Sequence, residues 1–211
     1  MAKGDKPSFY ERSILPRLIS CSCGSEAVGK LRAKVTPLAQ GRVLELGIGA
    51  GANLPFYDPA KVTSVLAVEP SEALRNRARA ACPDGLSLTI LNAAAETLPF
   101  DNDEFDTVVC TFTLCSVSAP AEALAEARRV LKKGGRLLFC EHGLSPDEGV
   151  ARWQGRWEPL WKRMAGGCHL TRPVVPGIVE AGFQIEARDS RYMRGGPKIA
   201  GWCEWGVAST A

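Results

Sequence analysis

The segment Val43-Leu44-Glu45-Leu46-Gly47-Ile48-Gly49-Ala50-Gly51-Ala52-Asn53-Leu54 runs an apolar strand into a glycine-rich turn, ahead of an expected helix. Glycines let a backbone bend sharply and approach a ligand that side chains would hold off, so a nucleotide-like site is implied. The spacing is G-x-G-x-G, with Ala52 where the dinucleotide fingerprint places its third glycine. Alanine also occurs at that place, so Glu45 separates the ligands better than the spacing does. A carboxylate at the strand tip repels a pyrophosphate but suits the ammonium and sulfonium charges of S-adenosylmethionine. Glu69, ending the run Val65-Leu66-Ala67-Val68, lies 22 positions beyond Gly47. There a doubly wound fold presents a carboxylate to ribose hydroxyls, which both kinds of cofactor carry.

The second set of reactive residues follows the last core strand. His142 and His169 are the only histidines, and Arg172 and Asp147 lie near them in sequence. Imidazole titrates close to neutral pH and suits the handling of a proton on an acceptor. His142 is expected to assist deprotonation or orient the acceptor, with His169 and Arg172 shaping the pocket and Asp147 a lesser candidate. The competing reading is that Glu141-His142 caps a strand and His169 satisfies a helix end. Cys110, Cys115 and Cys140 lie in or beside apolar runs and read as core thiols. Cys115 and Cys168 have no C-x-x-C neighbour or evident activating partner, so transfer through a protein thiol is not expected. Cys21 and Cys23 offer two ligands where a structural zinc site needs four, and no metal is expected.

The elements that must position these groups alternate short β-branched runs with helical stretches, which indicates a parallel sheet covered on both faces. Strands are expected at Arg42–Leu46, Ser64–Val68, Leu86–Leu91, Thr107–Thr111 and Arg136–Glu141. A helix is expected over Pro120–Leu131, with Pro at its start and Lys132-Lys133-Gly134-Gly135 after its end. Trp153, Trp157 and Trp161 recur at four-residue intervals. Two of them are expected to pack in the core and one to line an acceptor pocket. A further helix over Pro173–Ala181 precedes strands at Phe183–Ala187 and Trp202–Val207, read as a hairpin that finishes the sheet. Near the start, Phe9 to Ile19 is amphipathic, with Pro16 interrupting it. The expected organisation is a helical arm or lid over residues 1–40 and one domain over 41–211, with 143–182 as a substrate cap.

Composition narrows the partners. The 26 Lys and Arg against 23 Asp and Glu leave a net charge of +3, too small a basic field to suggest nucleic acid. No apolar run reaches the roughly eighteen residues of a membrane span, and the opening residues lack the apolar core of a secretory signal. A cytoplasmic protein is expected, as a monomer or weak homodimer, with peripheral lipid contact left open.

The stretch over residues 42–142 resembles the class I S-adenosylmethionine-dependent methyltransferases, in the branch of ubiquinone and menaquinone C-methyltransferases. The resemblance is carried by the Glu45 glycine turn, Glu69-Pro70, Ala95-Glu96-Thr97-Leu98-Pro99-Phe100, Phe105-Asp106-Thr107-Val108-Val109 and Arg129-Val130-Leu131-Lys132-Lys133-Gly134-Gly135. It implies a Rossmann-like, doubly wound, mostly parallel seven-stranded sheet with its last strand antiparallel. It also implies S-adenosylmethionine as cofactor. Gly47, Gly49 and Gly51 would line the methionine and ribose, Glu69 would hold the ribose, and Ala95 and Glu96 would flank the adenine. Asn53, Pro70 and Thr111 complete the cofactor candidates. Many relatives carry Asp where this chain has Ala94, so a hydrogen bond to the adenine amino group is missing or replaced.

A narrower resemblance runs through Val109-Cys110-Thr111-Phe112-Thr113-Leu114-Cys115-Ser116-Val117, Glu141-His142 and Gly167-Cys168-His169-Leu170-Thr171-Arg172. It is to the alkyl-thiol methyltransferases and their bacterial relatives, some labelled phospholipid N-methyltransferases. The expected reaction is S-methylation of a small apolar thiol. N- or C-methylation of a phospholipid head group or quinone precursor is the alternative, and a non-catalytic S-adenosylmethionine binder is a weaker third.

Overall fold

The computed structural model describes residues 25–193 and 196–210. The amphipathic stretch Phe9 to Ile19 and the Cys21, Cys23 pair lie outside the described residues. Seven strands form one sheet: β1 (Gly41–Leu46), β2 (Val62–Val68), β3 (Leu88–Leu91), β4 (Phe105–Thr111), β5 (Leu131–His142), β6 (Phe183–Tyr192) and β7 (Trp202–Thr210). Their spatial order is β3-β2-β1-β4-β5-β7-β6, and β7 runs antiparallel to both β5 and β6. The chain leaves β1 towards β2 and β3 on one side and returns to β4 and β5 on the other. The crevice beyond the C-terminal ends of β1 and β4 is therefore the switch point at which open α/β sheets bind ligands.

Residues of the inner strands alternate between two apolar clusters, one on each face. Leu44, Leu46, Val108, Cys110, Leu137 and Phe139 belong to one cluster. Val43, Val109, Leu138 and Cys140 belong to the other. Helix α1 (Glu26–Val35) buries Val28, Leu31, Arg32 and Val35, an i, i+3, i+4, i+7 stripe, on the second face. Helix α2 (Glu72–Ala80) is capped by Ser71, whose hydroxyl accepts from the Leu74 amide, and buries Leu74 and Ala78. Helix α3 (Pro120–Val130) starts on a proline and buries Ala123, Leu124, Ala127 and Val130 on the first face. Helices α4 (Glu148–Met164) and α5 (Val174–Glu180) follow β5.

Three expectations differ from what is found. The segment after the glycine turn is no α-helix but turns and one 3-10 turn over Leu54–Phe56, because Pro55 removes an amide donor and the Asn53 side chain is used elsewhere. Strand β5 begins at Leu131 rather than Arg136, with a register irregularity opposite Phe105 and Thr107. The tryptophans do not pack in the core: Trp153 and Trp157 are about half exposed, and Gln154 is the one buried residue of α4. The inward face of α4 is Gln154, Glu158 and Trp161, with Trp153 turned about 100° and Trp157 about 65° away from it. Gln154 anchors the helix by donating to the carbonyls of Gly143 and Ile199 and accepting from the Ser145 amide.

The β5–β7–β6 edge tolerates no bulk at Gly206, where an added Cβ would lie 2.1 Å from the Ala187 carbonyl oxygen and 3.0 Å from the Phe139 ring. We expect Gly206→Ala to cost about 1–3 kcal/mol of stability. Thermal denaturation should show Tm falling by roughly 2–12 °C in a domain of this size.

Candidate active site

Three glycines shape the crevice floor. Gly47, Gly49 and Gly51 have φ of +64°, +56° and +84°, a region side chains rarely adopt. A Cβ on Gly47 would lie 2.7 Å from Thr113 Oγ1, and one on Gly51 would lie 2.6 Å from Leu54 Cδ1. On Gly49 the nearest atom would be the Gly47 carbonyl oxygen, 4.0 Å away, an ordinary contact distance. Thr113 clamps the crevice by donating to the Leu46 carbonyl at 2.9 Å, across the gap between β4 and β1.

Behind the turn lies a buried polar network. Glu45 is 1% exposed; its Oε1 accepts from Asn53 Nδ2 and its Oε2 from the Tyr57 hydroxyl, both at 2.8 Å. Asn53 Nδ2 also donates to Thr111 Oγ1 at 2.9 Å, and its Oδ1 accepts from Arg32 Nη1 at 2.9 Å and from the Thr36 hydroxyl at 3.2 Å. Arg32 Nη1 donates to Thr111 as well, and its guanidinium stands 5.1 Å over the Phe112 ring. Burial raises the Glu45 carboxyl to about 7, opposed by the Tyr57 and Asn53 hydrogen bonds and by the Arg32 charge. Because the folded chain holds this proton more tightly than the unfolded one, ionising Glu45 costs stability as pH rises from about 4.5 to 7.

At the end of β2, Glu69 accepts from the Gly49 amide at 3.1 Å and the Ser71 amide at 2.9 Å, joining the glycine turn to the start of α2. Arg75 holds the same corner by donating to the carbonyls of Glu69 and Pro70. Ala95 is buried, while Glu96 accepts from the Ser118 amide at 2.8 Å, ahead of α3. Glu69 thereby ties the glycine turn to the segment that follows β2.

Past β4 and β5 the groups differ in character. His142 is 8% exposed, its Nε2 lies 3.0 Å from Cys168 Sγ, and its buried Nδ1 has no hydrogen-bond partner. Trp161 Nε1 donates to the same sulfur at 3.4 Å. A hydrogen bond from Cys115, against the opposing effect of burial, and then those from His142 and Trp161, hold the Cys168 thiol well below its ordinary range. Burial alone would lower the His142 imidazole, but the Cys168 hydrogen bond and charge raise it overall. Cys140 and Cys203, in the core, are instead pushed up by burial, Cys203 to about 12. Sequence found no activating partner for Cys168; the fold supplies His142, 26 positions away. Cys115 is buried as expected, yet it faces a thiol and an imidazole rather than only apolar neighbours.

His169 falls apart from this cluster. Its Nδ1 pairs with Glu158 at 2.9 Å, and Glu158 also accepts from the amides of Leu170 and Thr171 and from the Thr171 hydroxyl. One carboxylate from the middle of α4 therefore clamps residues 169–171. The His169 amide donates to the Cys115 carbonyl at 2.7 Å, fastening the two cysteine-bearing loops together. Arg172 donates to the Leu114 carbonyl. Asp147 is exposed, accepts from the Tyr192 hydroxyl at 2.8 Å and stands at the start of α4.

Sequence reasoning missed Arg32, Tyr57 and Glu158, and assigned no site role to Phe112 or Glu141. Glu141 is fully buried; its Oε1 accepts from the amides of Thr113 and Leu114 at 2.7 and 3.1 Å, while its Oε2 has no partner. Phe112 takes φ of +53° at the end of β4 and stacks 6.4 Å from the His142 ring. Such strain in a non-glycine residue gathers at functional sites. Only the adjacency of Glu141 to His142 could have drawn attention to any of them.

A sheet of this order, with a glycine turn, a buried acid below it and a second acid ending β2, defines a Rossmann-like methyltransferase. A methyltransferase-domain family matches residues 44–139. The thiol S-methyltransferase TMT1B of Rattus norvegicus is 37% identical over 169 residues, covering 75% of this chain and 68% of that protein. TMT1B of Homo sapiens is 34% identical over 175 residues, covering 77% and 71%. An S-adenosylmethionine-dependent methyltransferase from Mesorhizobium loti shares the fold, with a TM-score of 0.63 at 21% identity over 88% of this chain and 98% of that one. The chain belongs to the S-adenosylmethionine-dependent methyltransferase family that includes these thiol S-methyltransferases. S-adenosylmethionine is its cofactor, and the residues fit it: a Cβ on Gly49 would meet nothing nearer than 4.0 Å, and Glu69 accepts from the Gly49 amide on the β2 side.

The cofactor is cationic, so its binding should favour ionised Glu45 and strengthen as pH rises through about 7. Titration calorimetry should show affinity rising by up to about tenfold between pH 6 and 8. Glu45→Gln should flatten this dependence, and S-adenosylhomocysteine, which has no sulfonium charge, should show less of it.

Proposed function

We propose that the chain methylates the sulfur of a small, fairly apolar thiol. The observation that carries this reading is the His142 imidazole at the tip of β5, buried against Cys168 with Nδ1 unpartnered, in a chain whose relatives include named thiol S-methyltransferases.

Bound S-adenosylmethionine supplies a methyl group on a sulfonium centre. The chain holds it through the backbone of Gly47, Gly49 and Gly51, with Glu69 placed for the ribose hydroxyls and Ala95 and Glu96 for the adenine. Glu45, Asn53 and Thr111 support the turn from behind and set the charge beneath it. Residues 143–182 form the acceptor cap: Trp161 and Cys168 present the inner wall and the Glu158 clamp keeps it shut. His142 orients the acceptor and takes up the proton of its thiol, which ordinarily leaves near pH 8.5. Holding the two reactants in line supplies much of the remaining acceleration. His169 and Arg172 are positioning residues that act on the Cys168 and Cys115 loops, and Asp147 holds the start of the cap through Tyr192. The six cysteines among the described residues form no disulfide, which supports a reducing, cytoplasmic setting. No helix among the described residues is long and apolar enough to cross a membrane.

Incubation with labelled donor and a panel of alkyl thiols, phosphatidylethanolamine and quinols should yield thioethers. His142→Ala should lower kcat by about 10²–10⁴-fold with cofactor affinity unchanged, whereas His169→Ala should act chiefly on KM. Methylation of the lipid or the quinol with no thiol turned over would overturn the reading.

A further inference from the structure

Cys115, His142 and Cys168 come from three separate elements: the loop after β4, the tip of β5 and the loop between α4 and α5. One sulfur, one imidazole nitrogen and a second sulfur all lie within 4.8 Å of one another. A tetrahedral zinc ion, with bonds of about 2.3 Å to sulfur and 2.0 Å to nitrogen, holds such atoms about 3.6–3.8 Å apart. To admit the ion, the 3.0 Å contact between His142 Nε2 and Cys168 Sγ opens by about half an ångström and the widest of the separations closes by at most about one.

We propose that Cys115, Cys168 and His142 form a site for a zinc(II) ion, with the fourth tetrahedral position left to the sulfur of the acceptor. Four observations favour it. Two soft sulfurs and an imidazole suit a borderline-soft d¹⁰ cation better than a hard one, which prefers oxygen donors. The ligand-bearing loops are joined without any ion, by the His169 amide on the Cys115 carbonyl at 2.7 Å and by the Glu158 clamp. Trp161 donates to Cys168 Sγ at 3.4 Å, the kind of outer contact that holds a ligating sulfur in place. Three protein ligands and one open position is the arrangement of catalytic rather than structural zinc.

The acceptor role of this site rests on the thiol reading above; the site itself does not. On binding the ion, the acceptor thiol releases its proton to solvent and its sulfur becomes the fourth ligand. A lone pair of that sulfur forms the new bond to the methyl carbon while the carbon–sulfonium bond breaks, its electron pair remaining on the donor sulfur. The product thioether is neutral, a weaker ligand, and leaves. Coordination thus takes over, in the loaded chain, the proton-releasing part that the imidazole has without the ion.

The test uses the full chain, stripped with a chelator and titrated with zinc(II) or cobalt(II). We expect one ion per chain by elemental analysis, and thiolate-to-cobalt charge-transfer bands in the near ultraviolet. Cys115→Ser, Cys168→Ser and His142→Ala should each weaken binding by about 100-fold or more, while Cys82→Ser should leave it unchanged. Circular dichroism and S-adenosylhomocysteine binding check folding; should a cysteine variant fail to fold, His142→Gln gives the same readout. Cobalt bands that persist in a chain turning over no thiol would sink the thiol reading and leave the metal site standing. Wild-type affinity no higher than that of the folded variants, or full thiol turnover by a chain that binds neither ion, would overturn the proposal.

Discussion

The carboxylate of Glu45 has no water to solvate it, and much of the architecture answers that need. A buried acid must be matched by donors or it destabilises the fold. Here the donors arrive from separate parts of the chain: Asn53 from the glycine turn and Tyr57 from the segment beyond it, with Arg32 from α1 and Thr111 from β4 joined through Asn53. A single buried carboxyl therefore fastens α1, β1, the turn and β4 together. Breaking one member leaves the others buried and unmatched, which is costlier than removing the set. The same network holds the glycine turn in its left-handed conformations and sets the sign of the field beneath the ligand.

The two halves of the crevice are built on opposite principles. On the cofactor side, glycine backbone and strand-tip acids are held by the inner strands, whose apolar residues are buried in one cluster or the other. On the acceptor side, the walls come from α4 and the loops around it, fastened by a few polar clamps from Gln154 and Glu158. A rigid donor half with a clamped acceptor half suits a family in which one methyl donor serves many acceptors, since loops can change without disturbing the sheet.

What could be read from the sequence follows the same division. The strands were legible because β-branched runs and the glycine turn are local signals, and Glu45, Gly47 and Glu69 announce themselves by spacing, while the seven-stranded sheet with its antiparallel strand came from the family resemblance. Asn53 and Thr111 were placed at the crevice, but not the Arg32 and Tyr57 that complete their network, since contacts over tens of residues leave no local trace. Cys168 looked inert because its partner is distant in the chain. The tryptophan repeat misled: four-residue spacing says that side chains share a helix face, not which way that face turns. Gln154 and Glu158, one position on from Trp153 and Trp157, decide the orientation by finding polar partners inside.

That orientation has a further consequence. Trp153, Trp157, Leu160 and Met164 make a continuous greasy seam along the outside of α4, each about half or more exposed. The seam and the Glu158–Trp161 wall are two sides of a single rigid rod, so neither can shift alone. Anything that shields the seam from water steadies the rod, and with it the inner wall; stripping that shield away loosens both. On the proposed function, the inner wall of the acceptor cap is thus the reverse side of an exposed apolar strip.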